Sequence, residues 1–171
     1  INLSKYNSES SVSYGNRKRV KNCKKSGIIF KKIAKENYKD AYQVIVANRL
    51  NKGYPITMSW DSLAEMVAKF GNDVLFFGLI HNQILIASAI CINVKEEIFY
   101  VFYWGEIPGY EKLSPIAYLA DHLVQYCNKN GYKILDIGTS SVNSSPNYGL
   151  LNFKRNIGCD CCCKYKFVKK I

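Results

Sequence analysis

The chain is 171 residues long, 48% hydrophobic and 13% aromatic, with a formal net charge of +11. This length fits one domain with a sizeable core, and the apolar content excludes a disordered chain. No apolar run approaches the ~20 residues that cross a bilayer, so a soluble, cytoplasmic protein is expected; because the chain opens at Ile1 and not Met, a leader or upstream domain stays open.

The first element is a polar, basic segment over 8–25 that runs to "KKSG", where Gly27 reads as a helix terminator. Residues 1–39 hold eleven Lys or Arg against Glu9 and Glu36, and residues 160–171 hold four Lys against Asp160. The stretch between is close to neutral, so the basicity belongs to the two ends. Basic ends fit an anionic partner (phosphate, nucleotide or RNA) and fit a solvated basic helix equally well.

"IIFKKI" at 28–33 is a short β-type run. "ENYKDAYQVIVANRLNKG" sets Tyr38, Ala41, Tyr42, Ile45 and Leu50 at helical spacing and stops at Gly53. "SWDSLAEMVAKFG" predicts a second helix from an N-cap at Ser59 to Gly71, with Leu63, Met66, Val67 and Phe70 as its core stripe. The period then changes. "DVLFFGLI" and "ILIASAICINV" predict a hairpin around His81-Asn82-Gln83, and "EIFYVFYWG" (97–105) a third, antiparallel strand. "SPIAYLADHLVQYCNKNG" predicts a long helix with Ser114 as its cap and Pro115 at its first position. Its core face is Ile116, Leu119, Ala120, Leu123 and Cys127, which leaves His122 at the surface. "YKILDIG" predicts a short central strand, 147–157 a short helix, and 160–169 a last strand.

Seven cysteines without framework spacing argue against a secreted disulfide scaffold. "CDCCC" lacks the paired spacing of a zinc site, and only His81 and His122 could assist it. No metal is expected; the cluster reads as reduced thiols on the terminal strand.

Strand, two helices, three strands, long helix, strand, helix, strand implies an α/β (α+β mixed) domain with a mixed, mostly antiparallel sheet flanked by helices. That order resembles the GNAT acyltransferase fold, in which the strands either side of the long helix splay and the acyl donor wedges between them. Here those strands would be 97–105 and 133–137. The wording "RKRVKNCKKSG", the aromatic strand followed by "SP", "GYKILDIG" and above all "LLNFKRNIG" are similar to the FemAB-like branch. The resemblance divides the chain into a basic helical segment, 1–27, and a GNAT-like acyltransferase domain, 28–171. It matches the second half of two-domain Fem-type proteins or a single-domain relative.

The resemblance implies transfer of an acyl group, acetyl foremost, from a CoA thioester to an amine such as an amino sugar, nucleotide sugar or cell-wall precursor. Aminoacyl-tRNA, the donor of the cell-wall Fem members, is the alternative, with tRNA or another polyanion on the basic helix. A non-catalytic module binding RNA or an anionic glycan is the rival class. One departure matters: "GEIPGYEKLSP" lacks the Q/R-x-x-G-x-G/A loop of CoA-binding relatives, and only Gly109, Lys112 and Ser114 stand where donor phosphates would lie. Lys154 is expected to stabilise negative charge during transfer, with Asp136 at the strand end and Tyr103 as an acid for the leaving group. Tyr103 and Trp104 point to opposite faces, so one packs in the core and the other lines the cleft. Trp104, Ser140 and Asn143 are the expected substrate contacts.

Overall fold

The computed structural model describes residues 1–142, 145–163, 165 and 167–169. A five-stranded sheet forms the centre, in the order β1 (Ile29–Lys32), β2 (Val74–His81), β3 (Ile84–Lys95), β4 (Ile98–Glu106) and β5 (Ile134–Asp136). The first four strands are antiparallel neighbours, and β5 runs parallel to β4. The hairpin between β2 and β3 turns on Asn82 and Gln83, both at positive φ, which matches the twist of the flanking strands. His81 therefore belongs to β2 and not to the turn.

The predicted basic helix is two helices. Asn7 caps α1 (Ser8–Ser11), the chain breaks at buried Val12, and Ser13 caps α2 (Tyr14–Lys25). α3 (Tyr38–Asn51) and α4 (Trp60–Phe70) cover one face of the sheet; Ser59 accepts from the Ser62 amide as the expected cap. α2 and α5 (Pro115–Lys129) cover the other. α6 (Tyr148–Asn156) starts at its Asn147 cap, after the two-residue strands β6 (Ser141–Val142) and β7 (Ser145–Pro146).

Strand alternation divides the core between the two layers. Phe76, Ile90 and Tyr103 face α3 and α4, while Phe77, Phe99 and Leu135 face α5. Phe76 stacks on Tyr38 at 3.8 Å, and Phe77 meets Tyr126 edge-on at 4.8 Å. The outer edge of β5 is not open: Ile1 and Leu3 exchange backbone bonds with Leu135 and Lys133, adding a short antiparallel stretch.

Three expectations need correction. The described residues of 160–169 form no strand, and β5, the neighbour such a strand would want, already holds Ile1–Leu3 on its free side. Ser114 does not cap α5 with its side chain. It sits at φ 51°, in the left-handed region, and its hydroxyl donates to the Glu111 carbonyl instead. His122 is half-buried and not freely exposed: its ring stacks on Phe30 at 4.6 Å and meets Tyr118 edge-on at 4.5 Å. Burial holds its imidazole below the ordinary value of 6.5, with Asp121 opposing and Lys24 reinforcing that shift.

Gly105 lets α3 approach β4. A Cβ there would lie 2.7 Å from the Asn48 Cβ, in the contact where the Asn48 amide donates to the Glu106 carbonyl at 2.9 Å. Gly105→Ala is expected to lower unfolding free energy by about 1–3 kcal/mol, as overpacking does. Denaturant titration checks this, and an unchanged midpoint would contradict the close packing.

Candidate active site

β4 and β5 pair through three residues, from Ile98 with Ile134 to Tyr100 with Asp136, and then part. β4 runs on to Glu106 without that partner. Its other side stays bonded to β3: the Ile107 amide donates to the Ile86 carbonyl, so Gly105 also turns towards β3. Backbone direction alternates along a strand, so the Trp104 and Glu106 amides face the side that β5 has left. Such amides are donors for an acyl carbonyl and for the oxyanion formed on attack.

A cleft of about 400 Å³ opens beside this stretch, lined by Arg19, Arg49, Trp104, Glu106, Ser114 and Phe153 among others. α2 brings Arg19, α3 brings Arg49 and Lys52, and α6 brings Phe153, whose ring meets Trp104 edge-on at 6.3 Å. Glu106 is the residue that sequence reading missed. It is buried at 9% exposure, at the end of β4 and beside the start of α5. Burial pushes its carboxyl above the ordinary 4.5; Lys52 at 3.7 Å opposes this, Glu111 adds to it, and the Ile116 amide opposes it. A half-masked carboxylate in a cleft can take a proton from an attacking amine. The only sequence signal was an acid closing an apolar strand.

The predicted site residues that the structure describes fall into four groups. Trp104 and Ser114 line the cleft. Tyr103 lies behind it, buried against α3 and α4, with its hydroxyl bonded to that of Thr57 and the Arg49 guanidinium 5.4 Å over its ring. Gly109 and Lys112 lie on the exposed loop before α5, where the Gly109 amide donates to the Glu111 carboxylate at 2.9 Å.

Asp136, Ser140 and Lys154 gather at the end of β5. Asp136 accepts from the Gly138 amide at 2.8 Å, and Ser140 accepts through its carbonyl from the Asn147 amide. The Lys154 ammonium is buried and donates to the carbonyls of Ile137, Gly138 and Thr139 at 2.7, 3.1 and 2.7 Å. Arg155, one residue on, is exposed. Asn143 lies outside the described residues. Among the described residues there is no group of three or more His, Cys, Asp or Glu that could hold a metal, and no helix long and apolar enough to cross a membrane.

No protein-family model matches this chain. No curated protein matches it either. Solved structures do. The chain is similar to FemX, with 14% identity and a TM-score of 0.77, covering 92% of this chain and 57% of that one. It is similar to L-PGS from Bacillus licheniformis, with 13% identity and a TM-score of 0.63 over 84% of this chain and 46% of that one. It is also similar to the aminoglycoside antibiotic 6'-N-acetyltransferase AAC(6')-Ih from Acinetobacter baumannii, with 11% identity and a TM-score of 0.62 over 85% of this chain and 99% of that one. The chain thus spans little more than half the length of FemX. These identities carry the fold and nothing finer: the chain shares its fold with FemX and with the aminoglycoside acetyltransferase.

Proposed function

We propose that this chain transfers an acyl group to an amine by direct attack in a ternary complex. Glu106, a buried acid on the stretch of β4 beyond its pairing with β5, is the observation that carries the reading. Glu106 takes the proton of the incoming ammonium, and the freed nitrogen attacks the acyl carbon. The Trp104 and Glu106 amides hold the resulting oxyanion, and its collapse expels the carrier, which leaves with a proton.

Acetyl-CoA is one donor and aminoacyl-tRNA the other. The loop before α5 favours the second. A CoA diphosphate wants the amides there, but the Glu111 carboxylate already accepts from Gly109, and Glu106 stands at the start of α5. Bringing a diphosphate beside two carboxylates is electrostatically costly. The exposed lysines Lys18, Lys21, Lys24 and Lys25 of α2 offer a track for an RNA backbone instead. The amine acceptor is of the amino-sugar, nucleotide-sugar or cell-wall-precursor class. The basic segment 1–27 serves the domain of 28–171: α2 supplies Arg19 to the cleft wall and Cys23 to the core.

Within this reading, Lys154 acts by holding the end of β5 away from β4, and Asp136 and Ser140 shape the same corner. Tyr103 supports Arg49 from behind, while Trp104 and Ser114 face the substrates.

Glu106→Gln should lower kcat by ~10²–10⁴-fold, the range for loss of a general base. Because the folded pKa is raised, wild-type kcat/KM should fall as pH drops through a value above 4.5, and the variant should lose that limb. The protonated form is the one folding favours, so this group's stabilisation is present below 4.5 and lost as pH rises through its folded pKa. Glu106→Gln should then be at least as stable as wild type at neutral pH. Full activity in the variant would end the assignment.

Lys154→Met keeps the aliphatic stem and orphans the three carbonyls. It should cost about 2–4 kcal/mol in denaturant unfolding and speed amide exchange around β5. Arg155→Met should stay within about 0.5 kcal/mol of wild type. Wild-type stability with lost catalysis would instead make Lys154 a direct participant in the chemistry.

A further inference from the structure

Three elements meet at His122. Its ring lies flat on Phe30 of β1 at 4.6 Å, and Phe30 lies flat on Phe77 of β2 at 5.5 Å. Tyr118, one turn earlier in α5, meets the ring edge-on at 4.5 Å. Lys24, in the last turn of α2, is near enough for its ammonium to act on the imidazole as a like charge. His122 thus ends an aromatic column that runs inward to the sheet. The parts joined there have few other ties. β1 is four residues long and pairs with β2 alone. The twelve residues of α2 fully bury only Asn16 and Cys23, and the Cys23 thiol donates to the Leu113 carbonyl at 2.8 Å.

The imidazole Nε2 is buried, and no group among the described residues bonds it. A neutral imidazole tolerates this, because Nε2 can be its bare nitrogen; an imidazolium carries hydrogen on both nitrogens. Its Nε2–H would then be a buried donor without an acceptor, and such a donor loses its hydration for nothing. The charges around the ring divide. Asp121, beside it on α5, favours the cation, and Lys24 of α2 opposes it. Lys32, two residues past Phe30 on the same face of β1, adds a further positive charge on that side. Tyr118 and Cys23 are pushed above their ordinary values by burial and stay uncharged in acid. β2 contributes only the Phe77 ring to the column.

We propose that His122 is a protonation latch: while neutral it seats β1 and the last turn of α2 on α5, and proton uptake on acidification releases both. Release of α2 also draws Arg19 away from the cleft wall, so acid would loosen that wall without touching Glu106. The latch stands on packing and does not depend on acyl transfer. Burial leaves the folded ring with less affinity for a proton than the released one. Its stabilisation is therefore fully present above the ordinary value of 6.5 and is lost as pH falls through the lower folded value.

Hydrogen–deuterium exchange of the whole chain, read by mass spectrometry and corrected for the intrinsic pH dependence of exchange, tests this. From about pH 7.5 to about pH 5, peptides covering 20–32 should open at least about threefold more readily, while peptides from β3 and β4 stay unchanged. His122→Phe keeps the stack and takes no proton, so it should show no such gain. Lys24→Met should lessen the gain and Asp121→Asn enlarge it, since the first removes a repelling charge and the second an attracting one. His81→Gln, which alters the only other histidine, should keep the wild-type gain. An NMR titration of the His122 ring in wild type tests the same claim should His122→Phe not fold: Nε2 should be the bare nitrogen, and the midpoint should lie below 6.5. No gain in wild type, a gain that persists in His122→Phe or spreads equally over β3 and β4, or a His122 midpoint at or above 6.5 would overturn the latch.

Discussion

The site depends on the parting of β4 and β5 just after Tyr100 meets Asp136. Had the two strands stayed paired to their ends, β5 would have consumed the amides of Trp104 and Glu106, and no cleft would exist. Parting leaves polar backbone on both sides of the gap, and each side has a different remedy. On the β4 side the Trp104 and Glu106 amides face the gap. On the β5 side the carbonyls of Ile137, Gly138 and Thr139 are met by the Lys154 ammonium. A buried charge is tolerable because each of those bonds is charge-assisted.

Helix packing then turns the gap into a chemical environment. Gly105 admits α3 closely enough for Asn48 to bond the Glu106 carbonyl, and the same helix delivers Lys52 and Arg49. α5 begins beside Glu106, and α6 brings Phe153 against Trp104. The walls therefore combine an apolar aromatic floor with one buried acid and several cations. Burial raises the proton affinity of Glu106, and Lys52 restrains the rise.

Much of the fold was legible because it rests on local signals. Ser59, Gly71 and the apolar period bounded α4, and alternating strands flanked a turn at Asn82. Trp104 and Tyr103 fell on opposite faces, as a two-residue period requires, with Trp104 in the cleft and Tyr103 behind it. Elements fixed by distant partners were not legible. Ser114 looks like a cap in sequence, yet the tight turn at Glu111 places it in the left-handed region, next to a proline that already disfavours the right-handed one. A strand over 160–169 had the right composition, but composition does not reveal that Ile1–Leu3 occupies the edge of β5. Glu106 was passed over for the same reason: neither Lys52 nor Ile116 is its neighbour along the chain. "FKRNIG" was conspicuous, but its Lys154 faces the backbone of β5, a direction that spacing along α6 alone does not give.

The central claim is that the Trp104 and Glu106 amides of β4 receive the acyl carbonyl. Backbone amide resonances, followed by nitrogen-edited NMR, test it most directly. Acetyl-CoA and an RNA minihelix carrying a stable aminoacyl linkage would be added separately to the whole chain. With the donor that supports transfer, Trp104 and Glu106 should show the largest amide shifts and the greatest gain in exchange protection. Gly105, turned towards β3, should barely change. Transfer with the Trp104 and Glu106 amides unmoved, or with Gly105 changed as much as they are, would contradict the account.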